Sequence, residues 1–175
     1  MKTLLVMAAV ALASSLSAMG KAYFCTRPEL IENAVVIGIV TIDEPEAAPD
    51  PFAEPTTRFA YAQQAKVHVE QVIKGEIPKE FILHGGESFI CAQTTLAKGR
   101  FLAFLSKDGD RWVGTNWMLS LRPIKDQEVE WYVADEQRFP MKFQSLAEVV
   151  AAIKTAVAKP PGEPAADGKP PTGHP

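Results

Sequence analysis

Residues Ala65–Cys91 read AKVHVEQVIKGEIPKEFILHGGESFIC, and this stretch decides the fold. Val67, Val69 and Ile73 alternate with Lys66, His68, Glu70 and Lys74. A period of two predicts a long antiparallel strand with one wet face. The alternation reaches back through Ala65 to Tyr61 and Phe59, which share the apolar side. Lys74-Gly75-Glu76 predicts a turn, Ile77-Pro78 the edge of the next strand, and Glu80–His84 its return. Gly85-Gly86 is expected to break that strand. Ser88–Cys91 then carries one of the two cysteines of the chain.

On the N-terminal side, Thr26–Asn33 reads as a cap, a proline in the first turn and a short helix. Ala34–Ile42 (AVVIGIVTI) is a dense β-branched run, expected to form a strand buried on both faces. Gly38 in its middle predicts a bulge or bend of the kind that closes a small barrel. Asp43–Thr57 is rich in proline and acid, and reads as an exposed, solvated loop without the spacing of a calcium site.

On the C-terminal side, Arg100–Ser106 is another strand. Lys107-Asp108-Gly109-Asp110 predicts a tight hairpin turn, with Arg111–Val113 returning. Asn116–Leu121 is expected to continue the sheet or cover one end of the barrel, with Arg122-Pro123 ending it. Gln127–Ala134 predicts one more strand. Ser145 and Glu148 have the spacing of a capping box. Leu146, Val149, Val150, Ile153 and Val157 follow at helical spacing, one apolar stripe for docking on a sheet. Short strands at close intervals with little helix predict a small closed or nearly closed barrel, because closure removes exposed edges.

The ends of the chain have a different character. Lys2, the apolar run Leu4–Leu16 and small residues at Ala18-Met19-Gly20 or Gly20-Lys21-Ala22 form the pattern of a secretory signal peptide, assigned to residues 1–22. Phe24 before Cys25 is too bulky for lipoprotein processing. The domain is placed at 23–158, and the proline- and glycine-rich run 159–175 is expected to be a disordered tail. Export to the periplasm or beyond changes the reading of Cys25 and Cys91. In an oxidising compartment two cysteines most simply make one disulfide, although two free thiols or a half-site for metal also fit the count. A bridge closing a loop of about 66 residues contributes roughly 4 kcal/mol in the chain-entropy view.

A hydrophobic fraction of 47%, with 22% charged residues, belongs to a globular chain. The formal net charge of −3 argues against a nucleic-acid partner. After the signal, no apolar run reaches the roughly 18 residues of a membrane span, so no transmembrane segment is expected. Enzyme motifs are missing too. Gly86-Glu87-Ser88-Phe89 lacks the second glycine of a nucleophile elbow, and neither HExxH nor a phosphate-cradling loop occurs. No catalytic residue, metal ligand or cofactor is assigned. His68 and His84, with Glu70 near, would make a facial metal site if they met across the hairpin, but the preferred reading is two solvent-facing strand histidines. Trp112, Trp117, Trp131, Tyr132 and Phe143 divide between ordinary core and a ligand-stacking set. Trp112 and Trp117 are the candidate ligand face.

The order of these features resembles a family. A cysteine at the mature start, a short helix and Ala-Val-Val-Ile-Gly-Ile-Val come first. A strand ending in Val-Ile-Lys-Gly follows, then a cysteine after Gly-Gly-Glu-Ser-Phe-Ile, and then Gly-Arg-Phe-Leu-Ala-Phe. Over about Cys25 to Pro123 the chain resembles the netrin-like module shared with tissue inhibitors of metalloproteinases, in particular its small exported bacterial relatives. The resemblance implies a mainly β fold: an OB-type closed antiparallel barrel with a short N-terminal and a C-terminal helix. It also implies that Cys25 pairs with Cys91 to anchor the N-terminus. The inhibitors begin Cys-x-Cys and chelate zinc through the amine and carbonyl of the first cysteine. Here Arg27 stands at the second cysteine position, and its partner near Trp117-Met118 is not cysteine. Cleavage before Cys25 is disfavoured by Phe24, which displaces the free amine.

The function expected is therefore a non-enzymatic binding module. It would meet an unidentified protein partner, an extracytoplasmic protease among the options, through one barrel face or through a ridge at Cys25, Thr26 and Arg27. The alternative is a metalloprotease inhibitor acting through that ridge. A metal-binding or hydrolytic envelope protein comes third.

Overall fold

The computed structural model describes residues 24–48, 60–89, 92–136, 138 and 141–158. The expected export signal, the acidic loop beyond Ala48, Cys91 and the tail from Lys159 lie outside them. Helix α1 (Arg27–Asn33) starts as its sequence dictates, with Pro28 in the first turn. The Glu29 carboxylate accepts from both the N–H and the hydroxyl of Thr26, each at 2.8 Å. The helix buries Leu30 and Ile31 and stops at Ala34, whose N–H closes on the Leu30 carbonyl.

Strands β1 (Val36–Ile42), β2 (Glu46–Ala47), β3 (Ala60–Lys74), β4 (Glu80–Phe89), β5 (Ala92–Gln93), β6 (Gly99–Asp108) and β7 (Arg111–Gly114) follow in order. The fold is mainly β, with a closed five-stranded barrel and two helices. β1 pairs with β3, β3 with β4, β4 with β7, β7 with β6, and β6 back with β1. This ring is the OB-type order. In one respect the expectation of an antiparallel barrel is corrected, because β4 and β7 run parallel. Direction alternates around an antiparallel ring, and an odd number of strands cannot alternate without one mismatch.

β1 and β6 are buried on both sides, and the alternation of their residues sorts them into two cores. Val36, Val40, Ile42, Phe101, Ala103 and Leu105 point into the barrel, where they meet Ala65, Val67, Phe81 and Leu83. Ile37, Ile39, Leu102 and Phe104 point outward, onto Leu30, Trp131, Tyr132, Val149 and Ile153. That second core lies under α1, the sheet β8 (Leu121–Lys125), β9 (Glu128–Tyr132) and β10 (Met141–Ser145), and helix α2 (Leu146–Ala158). α2 buries Leu146, Val149, Val150 and Ile153 of its expected stripe and leaves Val157 at 37% exposure.

The bend foreseen at Gly38 is real, although the extra residues sit on the partner strand. Between Ile37↔Lys74 and Gly38↔Val72, and again between Ile39↔Gln71 and Val40↔Val69, the register slips by one. β3 thus bulges at Ile73 and Glu70. A Cβ on Gly38 would stand 2.7 Å from the Gln71 carbonyl oxygen, so only glycine admits the coil of β3 over β1. The bulges also re-aim the side chains. Ile73, expected on the face of Val67 and Val69, packs instead against the outer core.

Two further expectations are corrected. β4 runs straight through Gly85-Gly86. A Cβ on Gly85 would meet the Thr94 carbonyl oxygen at 2.8 Å, so this glycine admits a neighbouring chain and does not mark a turn. β8 likewise runs through Pro123, which lies opposite Phe101. Between β7 and β8 a 3-10 turn (Trp117–Leu119) inserts Leu119 into the outer core.

Candidate functional site

The helices and β8–β10 cover the β1 and β6 side of the barrel, and the outer faces of β3, β4 and β7 stand opposite. Their register sets out this wall row by row. Gln64 lies beside His84, Lys66 beside Ile82 and His68 beside Glu80; His84 in turn lies beside Val113. Ile82 is 45% exposed, and Lys66, Glu80 and Arg111 are exposed around it. The charges are of both signs and cross-linked. Lys66 Nζ lies 2.6 Å from Glu80, and His68 bridges Glu80 through Nδ1 and Asp43 through Nε2, each at 3.1 Å. The Lys66 hydrogen bond holds the Glu80 carboxyl below its usual range. Burial, and then the charge of Arg111, push the His84 imidazole down, so it is neutral at pH 7.

At the end of this wall the strands open into a cavity of about 140 Å³, lined by Gly86, Thr94, Asp108, Val113 and the run Gly114–Trp117. Thr94 and Asn116 are 6% and 7% exposed. Trp117 forms one side with a backbone φ of 40°, a left-handed conformation that a bulky residue adopts only under constraint. Its indole meets the Phe24 ring edge-on at 6.1 Å.

The cavity adjoins the N-terminal anchor. Cys25 is 4% exposed; its N–H donates to Asn116 Oδ1 at 3.3 Å, and its carbonyl accepts from the Tyr132 hydroxyl at 2.9 Å. Asn116 is held in turn by its own N–H, which donates to Ser120 Oγ at 2.7 Å. Burial pushes the pKa of the Cys25 thiol up. No disulfide is formed among the described residues; the expected partner Cys91 lies outside them. The rest of the candidate ridge is engaged within the chain. Thr26 is spent on capping α1, and Arg27 pairs with Asp135.

The other sequence candidates disperse. His68 and His84 sit opposite different residues and are four positions apart in the β3 register, roughly 13 Å along a strand. Glu70, set in a bulge, takes the Thr41 hydroxyl at 2.7 Å and Arg100 at 2.8 Å. Among the described residues no cluster of histidine, cysteine and acid fits a metal. Trp112 and Trp117 have different surroundings: Trp112 packs on Phe81 with Lys107 Nζ 4.0 Å over its ring, and Trp117 lines the cavity. Trp131 and Tyr132 are core, with Trp131 stacked on Phe104 at 5.5 Å, whereas Phe143 is 62% exposed. Sequence reading missed Thr94, Val113 and Asn116, which belong to no motif and become a site only when β4, β7 and the 3-10 turn converge. Among the described residues no helix is long and apolar enough to cross a membrane.

The sequence matches no protein-family model and no curated protein.

Proposed function

We propose that this protein is an exported, non-enzymatic interaction module of netrin-like type, which meets a protein partner through the bare wall of β3, β4 and β7 and the cavity at its end. The observation that carries the reading is the division of the barrel surface. One side is sealed by two helices and a second sheet, while the other presents Ile82 among paired charges of both signs. In this reading Ile82 and the adjoining cavity form the apolar centre of the contact, and Lys66, Glu80 and Arg111 its polar rim. Export to the periplasm or the exterior, after removal of residues 1–22, belongs to the same reading, as does a Cys25–Cys91 bridge. Mass spectrometry of the exported protein under non-reducing conditions, with and without alkylation, is expected to find no alkylatable thiol.

The ridge at Cys25 gives the inhibitor reading no support. Zinc chelation would need the amide nitrogen and carbonyl of Cys25 at the surface, and both are buried and hydrogen-bonded. The test uses a photo-crosslinking residue placed singly at Ile82, at Met118 and, as a control on the sealed side, at Lys154. Discrete polypeptide adducts from Ile82 or Met118 but not from Lys154 are expected in the native envelope. Adducts from no position, or turnover of a peptide, ester or glycan by the purified protein, would overturn the reading.

A further inference from the structure

The cavity at the end of the wall has features that general surface contact does not require. Its volume of about 140 Å³ is close to that of an engineered cavity, about 150 Å³, that holds a benzene molecule. It accommodates one ring and is too small to enclose a nucleotide or a disaccharide. Thr94, nine-tenths buried, makes no side-chain hydrogen bond among the described residues. Its hydroxyl oxygen lies 3.0 Å, and that of Ser120 2.7 Å, from the place that a Cβ on Gly114 would take, so both hydroxyls stand against the glycine that lines the cavity. A hydroxyl that lines a cavity without a protein partner can be claimed by the polar group of a ligand. The strained backbone of Trp117 holds an indole at one side of the same space, and Val113 supplies apolar wall. The mixed charges of the adjoining wall suit a polypeptide better than a polyanion.

We propose that this cavity is the seat for a single aromatic side chain of the partner polypeptide, and that it prefers tyrosine to phenylalanine because the phenol oxygen would reach the Thr94 hydroxyl. The proposal rests on the interaction-module reading and adds to it the anchor residue of the partner. Buried aromatic anchors in preformed pockets carry most of the energy of many interfaces.

The test is an NMR titration of the purified protein with N-acetyl-tyrosinamide, N-acetyl-phenylalaninamide and N-acetyl-leucinamide. Saturable shifts are expected at the amides of Gly114 and Thr115 and at the Trp117 indole. Tyrosine should bind about fivefold more tightly than phenylalanine, the worth of one neutral hydrogen bond, and leucine more weakly than either. Thr94→Val should abolish the tyrosine preference and retain phenylalanine binding, while Thr94→Ser, which keeps the hydroxyl, should retain the preference. Val113→Phe should fill the space and remove both. The absence of saturable shifts, or a tyrosine preference that survives in a folded Thr94→Val protein, would overturn the proposal. Crosslinked partners at Ile82 together with no probe binding would remove this cavity assignment and leave the module reading standing. Probe binding without any crosslinked polypeptide would remove the module reading instead.

Discussion

Cys25 shows how much a single backbone position can organise. Its N–H and carbonyl are claimed by Asn116 and Tyr132, residues about a hundred positions away, so the chain just before α1 is fastened before any covalent bridge is considered. Burial pushes the Tyr132 hydroxyl well above the usual phenol range, which keeps it a donor at every physiological pH. Tyr132→Phe leaves a buried carbonyl without its partner and is expected to cost about 1–3 kcal/mol, measured by denaturant unfolding under reducing conditions. His84 supplies a pH dependence. Its folded pKa lies below the ordinary value of 6.5, so the unfolded chain takes up the proton first as pH falls. Stability is then lost from about pH 6.5 downwards, until the folded pKa is passed. In His84→Gln the melting temperature should fall less over that window than in the wild type. An identical slope in both proteins would refute the assignment.

At the scale of elements, the β3–β4 hairpin is held by one glycine. Gly75 has φ +74°, and a Cβ there would stand 2.2 Å from the Val35 carbonyl oxygen. Gly109, in the β6–β7 turn, also has positive φ (+57°) but nothing within 4 Å of a Cβ. Both alanine variants suffer the left-handed penalty of roughly 1–2 kcal/mol, and Gly75→Ala must move backbone as well. Gly75→Ala should therefore unfold at clearly lower urea concentration than Gly109→Ala; equal midpoints would show that the Val35 contact relaxes freely. β10 was invisible in the sequence for a related reason. Met141-Lys142-Phe143-Gln144 alternates for only four residues and exposes Phe143, and it is a strand because β9 pairs with it across its whole length. The stripe of α2, by contrast, is written in its spacing, and all but Val157 is buried.

The whole molecule is a ring of unequal seams. β1 and β6 share seven paired positions, whereas β4 and β7 close the barrel through two. Cooperative opening should start at the weaker seam. Hydrogen exchange is expected to show β7 amides, at Trp112 and Val113, exchanging faster than those of Ile39 and Leu102. Uniform protection around the ring would rule out this order of opening. The same seam borders the cavity through Val113 and Gly114, so occupancy by an aromatic probe should slow exchange there. Closure also explains why Asn116–Leu121 reads both as sheet and as a cover of the barrel: the segment links β7 to β8, and it does so through a 3-10 turn.

What the sequence determined by itself is local or periodic. The alternation of Ala65–Val69, the Lys74-Gly75 turn, the capped start of α1 with its proline, the two-sided burial of Val36–Val40 and the stripe of α2 follow from side-chain chemistry and the pitch of the backbone. The tertiary structure alone decided the parallel seam, the bulges that turn Ile73 to the outer core, and the meeting of Thr94, Val113 and Asn116 beside Trp117. These depend on which strand lies next to which. The stretch Ala65–Cys91 predicts its own hairpin and the return at Glu80, but whether His68 faces His84 or Glu80 is fixed by register, and register is fixed by the barrel that the rest of the chain closes.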